Sequence, residues 1–131
     1  MKIIMLKGPD NSGKTTTLNL VHDELVKKMN ATIVFKVELG WKGDDIASTL
    51  DYNNKKVAIF SMGDYVEDIK RAIEYFEHKS ADVLIIANRN KHQFDNLMHQ
   101  SCNVLIDKPK VRKTQICADN INYMNQIIAM I

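Results

Sequence analysis

The sequence predicts an α/β protein, a three-layer αβα arrangement on about five parallel strands covered by helices on both faces. Three observations carry that expectation. A short apolar run, Ile3, Ile4, Met5 and Leu6, leads into a glycine-containing turn and then an amphipathic stretch, as strand–loop–helix would. Strand-like and helix-like segments then alternate along the chain with short connections. Residues 82–87, Asp-Val-Leu-Ile-Ile-Ala, form the most apolar run and make the best central strand.

The elements follow in order. After the turn, Leu18, Val21, Leu25 and Met29 recur at spacings of three, four and four, the face of a first helix. Residues 32–39, rich in β-branched and apolar side chains, predict a second strand. Residues 40–56 carry glycine, aspartate and asparagine, with a short helix expected at 45–50 and room for a substrate-binding insert. A third strand is expected at 57–62, ended by Gly63 and Asp64. Val66, Ile69, Ile73 and Phe76 mark one face of a second helix over 65–78. Beyond the central strand, a short helix is expected at 92–102 and a strand at 103–106. Residues 108–110 form a loop around Pro109, because the residue before a proline disfavours helix. The last helix starts near 114, with Cys117, Ile121, Met124, Ile128 and Ile131 as a stripe that packs on the core or, alternatively, seams a dimer.

At 131 residues the chain predicts one domain, 1–131, with no internal repeat or linker. Its 45% hydrophobic and 26% charged composition is that of a soluble globular protein. A net charge of +2 weakens a nucleic-acid reading. The N-terminal residues look like a strand, not a signal peptide, and no apolar run reaches membrane-spanning length, so a cytoplasmic location is expected. Cys102 and Cys117 lack framework spacing and are expected as free, buried thiols in a reducing compartment. The seven methionines are expected as core filler.

The chemistry concentrates in residues 8–16, Gly-Pro-Asp-Asn-Ser-Gly-Lys-Thr-Thr. Gly8, Gly13, Lys14 and Thr15 spell G-x-x-x-x-G-K-T, a pattern that chance places in a chain this long only about once in two hundred sequences. A polyphosphate needs converging backbone N–H donors, which a glycine-permitted turn presents. Gly8, Pro9, Asp10, Asn11, Ser12, Gly13, Lys14, Thr15 and Thr16 are therefore the candidate nucleotide-binding residues. Lys14 is placed for the β- and γ-phosphates and Thr15 for magnesium, while the helix start directs its N–H groups at the same anion.

This stretch resembles the loop of the P-loop NTPases, and its G-x-D-x-x-G-K-T-T form is similar to that of thymidylate kinase and related nucleoside and nucleotide kinases. Leu105-Ile106-Asp107 before the final helix is similar to the end of those kinases. The resemblance implies a P-loop NTPase fold with ATP and Mg2+ bound. It also implies a compact kinase-like phosphotransferase acting on a small-molecule acceptor. The alternative is an ATP-hydrolysing switch that acts through a protein partner. Sister classes lack support: Asp64 is followed by Tyr65 and not by glutamate, no guanine-recognition motif is present, and Pro9 stands where a second loop lysine would be.

Other candidates are weighed against plainer roles. Asp64 is a metal and catalytic candidate after the third strand, or a helix N-cap paired with Glu67. Arg89, with Lys91, is a catalytic candidate as a minimal lid over the transferred phosphoryl group, or simple surface charge. Glu38 is a candidate to accept a substrate proton or hold a hydroxyl, or a solvated strand end. Lys108, Lys110, Arg112 and Lys113 brace the nucleotide or form a solvated loop. His99 and Cys102 share a helical face but lack the further ligands a zinc site needs. Trp41 is a stacking or packing residue.

Overall fold

The computed structural model describes residues 1–89, 92–100 and 102–131. Among these residues six strands form one mixed sheet in the order β2-β3-β4-β5-β1-β6. In chain order the elements are β1 (Lys2–Lys7), α1 (Lys14–Lys27), β2 (Thr32–Leu39), β3 (Asp45–Tyr52), β4 (Lys55–Phe60), α2 (Val66–His78), β5 (Val83–Asn88), α3 (Asp95–Met98), β6 (Val104–Asp107) and α4 (Ile116–Ala129). Strands β4, β5, β1 and β6 run parallel, whereas β2, β3 and β4 are joined antiparallel. The class is α/β as expected, but the sheet is mixed and has one strand more than the sequence suggested.

The extra strand is β3. Residues 45–50, expected as a short helix, lie inside it. Its burial follows a two-residue period at Ile46, Ser48 and Leu50, one face of a pleated strand. The turn into β4 explains the antiparallel pairing. Asn53 and Asn54 both adopt positive φ, 50° and 61°, and Tyr52 pairs with Lys55 across them. Two consecutive positive-φ residues make the tight hairpin whose twist suits antiparallel strands, and asparagine tolerates that region. Residues 45–56 therefore extend the sheet, with 40–44 as the turn into it; they form no separate insert.

Two apolar layers cover the sheet. On one face Leu18, Val21 and Leu25 of α1, with Met124 and Ile127 of α4, pack on Ile4, Leu6, Ile59 and Ile85. On the other, Ile69 and Phe76 of α2, with Phe94 and Met98, pack on Ile3, Met5, Leu84 and Ile86. β5, predicted as the central strand, is buried throughout between β4 and β1.

Several details correct the sequence expectations. Met29 lies past the end of α1 and is 36% exposed. The buried residues of α4 are Asn120, Met124 and Ile127, so the helix is rotated from the expected stripe, leaving Cys117 and Ile121 exposed. Both cysteines are free but exposed, not buried. Neither lies at a position that the sheet or its helices cover.

Candidate functional site

The site grows from the carboxyl end of β1. The Gly8 N–H donates to Asn88 O of β5 at 3.0 Å, fixing the start of the loop to the neighbouring strand. A Cβ at Gly8 would stand 2.3 Å from Lys108 O, so only glycine lets the segment after β6 lie this close. Gly13 has φ +89°, and a Cβ there would meet Asn120 Oδ1 at 2.3 Å. Between them Asn11 also takes a positive φ of 59°. The two sequence glycines thus mark the two places where other backbone or side chain presses on the loop.

Helix α1 begins at Lys14 with Gly13 as N-cap, no side-chain cap and no acid in its first turn. Its first N–H groups are not claimed by a capping side chain, which leaves a positive dipole end facing the loop. Lys14 folds back and donates to the carbonyls of Gly8 and Pro9, each at 2.8 Å. Burial pushes its pKa below the ordinary lysine value, while the carboxylates of Asp10 and Asp64 pull it back up.

A second wall comes from β3 and the end of β4. Thr15 Oγ1 donates to Asp45 Oδ1 at 3.1 Å, and Ser61 Oγ donates to the same oxygen at 3.0 Å. Ser61 Oγ also accepts from the Ile46 N–H at 2.9 Å, which locks its orientation. Asp10, Asn11, Gly13, Lys14, Thr15 and Thr16 line one cavity of about 350 Å³ together with Asp45, Ser61, Gly63 and Asp64. An ammonium and open helix N–H groups on one side, with hydroxyl and carboxylate oxygens on the other, form a donor set for an anion and a hard cation together.

Asp64 is exposed on that rim. The N-cap of α2 is Tyr65, with no side-chain cap bond, so Asp64 does not form the expected capping pair with Glu67. Arg89 reaches the loop from the end of β5: its guanidinium meets Asp10 Oδ2 at 2.5 Å, and its backbone N–H donates to Gly63 O at 2.9 Å. Lys91, its expected companion, lies outside the described residues. Pro9 lines a separate depression of about 270 Å³ with Lys7, Gly8, Asp107, Lys108 and Pro109. Ser12 is fully buried and its Oγ has no hydrogen-bond partner among the described residues. Glu38 is exposed on β2, Trp41 is 100% exposed, and neither, nor His99, Cys102 or Arg112, lines these two cavities.

Three residues of the site, Asp45, Ser61 and Asn120, escaped the sequence argument, and so did the burial of a fourth, Lys108. Asp45 accepts from both Thr15 and Ser61, and reading residues 45–50 as a strand would have placed Asp45 at its start. Lys108, expected either to brace the nucleotide or to sit in a solvated basic loop, is fully buried. Its ammonium bonds to Ser12 O, pairs with Asp119 Oδ2 at 2.6 Å and lies 5.0 Å from the Tyr123 ring centre. Asn120 supports the loop from α4, with Oδ1 3.3 Å from Thr17 Oγ1. The positions that bring Lys108 and Asn120 here are long-range, and no local pattern announces them.

Comparison of the chain with protein-family models, with curated proteins and with solved structures returned no match.

Proposed function

We propose that the chain is a P-loop NTPase that binds a magnesium nucleoside triphosphate, ATP foremost, and hydrolyses it as a nucleotide-dependent module. The supporting observation is the convergence of Lys14, Thr15 and the uncapped start of α1 with Asp45 and Asp64 around one cavity. The donor chemistry fits the ligand: cationic and N–H groups for the polyphosphate, oxygen donors alone for the metal.

In this reading the backbone between Gly8 and Thr16 cradles the phosphates, and Lys14 exchanges two carbonyl partners for phosphate oxygens. Thr15 and the carboxylates Asp45 and Asp64 would hold magnesium, directly or through water. When bound there, magnesium supplies charge neutralisation for the phosphate oxygens. Arg89, tethered to Asp10, is the nearby cation for the group in transfer once that pair opens. Catalysis of this kind is positioning and electrostatic stabilisation.

Hydrolysis is favoured over transfer because residues 45–56 build sheet, not an acceptor lobe. The phosphotransferase reading keeps one observation in its favour: Asp45 and Asp64 border the cavity beside Lys14, where a carboxylate can take an acceptor proton. Titration calorimetry with Mg–ATP tests the common premise, with binding expected for the native chain and none for Lys14→Ala. Absence of heat with any magnesium nucleotide overturns it. ADP release with and without small hydroxyl and phosphate acceptors separates the two readings: acceptor-stimulated turnover favours transfer.

A further inference from the structure

Strand β2 forms one edge of the sheet and is unlike the rest of the fold. Seven of its eight residues are exposed, the last half-buried. Ile33, Val34, Phe35 and Val37 are 44%, 57%, 44% and 37% exposed, a density of apolar surface that soluble edge strands ordinarily avoid. Phe35, Val37 and Leu39 lie on one face, opposite Thr49, Ala47 and Asp45 of β3. They continue into an apolar groove of about 430 Å³ walled by Phe60, Met62, Tyr75 and Phe76. Lys36 and Glu38 lie on the other face, opposite Ser48 and Ile46.

We propose that β2 pairs antiparallel with β2 of a second copy of this chain, about a two-fold axis through Val37, joining two sheets into one. The order of residues is self-complementary about that point. Val37 falls opposite Val37, Phe35 opposite Leu39, and Lys36 opposite Glu38, so each copy meets two opposite-charge pairs on one face and an unbroken apolar strip on the other. Every antiparallel residue pair has a local two-fold relation, so the register is geometrically admissible. The strand's own irregularities end the pairing on each side. The bulge between Ile33 and Phe35 interrupts one end, and Gly40 at φ +82° turns the chain away at the other. Registers shifted by one to three residues either way place Lys36 or Glu38 against an apolar residue or its own kind. That charge pattern selects a second copy over an unrelated strand. The inference does not depend on nucleotide binding.

Sedimentation equilibrium of the full chain over a concentration series tests it. The native chain is expected to dimerise. Lys36→Glu and Glu38→Lys, both at exposed positions, each convert the attractive pairs into repulsive ones and are expected to weaken the dimer about tenfold or more. The double reversal restores the pairing and the native dissociation constant. Circular dichroism confirms that each variant is folded. A native chain that is monomeric throughout, single reversals that leave the dimer unchanged, or a double reversal that fails to restore it would each overturn the proposal.

Discussion

At the scale of single residues, Lys14 and Thr15 are set by groups far away in sequence. Thr15 leans on Asp45, thirty positions later, and Asp45 is in turn held by Ser61. If Asp45 supports magnesium, Asp45→Ala lowers Mg–ATP affinity about 10–100-fold, the size typical of groups supporting a metal site. Binding of ATP without magnesium should change little, which calorimetry in EDTA checks. Lys108 carries another consequence. Removing one member of a buried ion pair strands the other, at a cost of roughly 3–5 kcal/mol. Because Asp119 retains 19% exposure, Lys108→Ala belongs at the lower end of that range, measured by urea unfolding. His22 is buried beside Ser48, and burial, with Lys36 nearby, lowers its pKa from 6.5. The folded state therefore favours the neutral ring, and the unfolded chain takes up its proton first on acidification. The contribution is fully present above pH 6.5 and is lost as the pH falls from there toward the lowered value. His22→Gln should flatten the fall of the thermal midpoint over that acidic interval.

At the scale of elements, the connections decide what the strands can do. The Asn53–Asn54 turn makes β3 and β4 a hairpin, because both residues adopt a left-handed conformation that asparagine tolerates. Asn54→Ala should cost about 1 kcal/mol, the penalty of a Cβ in that region, read from urea midpoints. The link from β4 to α2 is tighter still. A Cβ at Gly63 would lie 2.1 Å from Ala87 O and 2.4 Å from Ala87 C, both backbone atoms of β5 that cannot swing aside. Gly63→Ala should therefore separate this wall of the cavity from β5, lowering both stability and Mg–ATP affinity in calorimetry and thermal unfolding. The same link explains how Arg89 arrives at the loop: its N–H is tied to Gly63 O.

At the scale of the whole molecule, two helical layers bury the parallel half of the sheet, and the antiparallel half reaches an uncovered edge. The cavity beside Lys14 straddles the join: α1 and its loop lie at β1, while Asp45 and Ser61 come from β3 and the end of β4. Ligand binding there links elements that are otherwise separate in the chain. A ligand that binds only the folded state stabilises it by about 2.7 kcal/mol at a hundred times its dissociation constant. Mg–ATP should raise the thermal midpoint of the native chain accordingly and leave that of Lys14→Ala unmoved.

What could be read without coordinates was local: strand β1, the glycine turn, helix α1, helix α2 and the apolar β5 all follow from spacing and composition within a dozen residues. So do β2, β4, β6 and the last helix, each expected within a few residues of where it lies; the tertiary structure alone decided which faces and partners they meet. Residues 45–52 mix apolar and polar side chains with little helical or strand bias, and pairing on both sides made them a strand. It likewise turned Lys108 from a loop charge into a buried brace and Asn120 into the floor of the loop. It also left β2 at an edge, exposed. The physical reason is range: periodicity reports which face of a segment wants burial, but the partner that supplies it, and the charge a neighbour brings, exist only after distant segments meet.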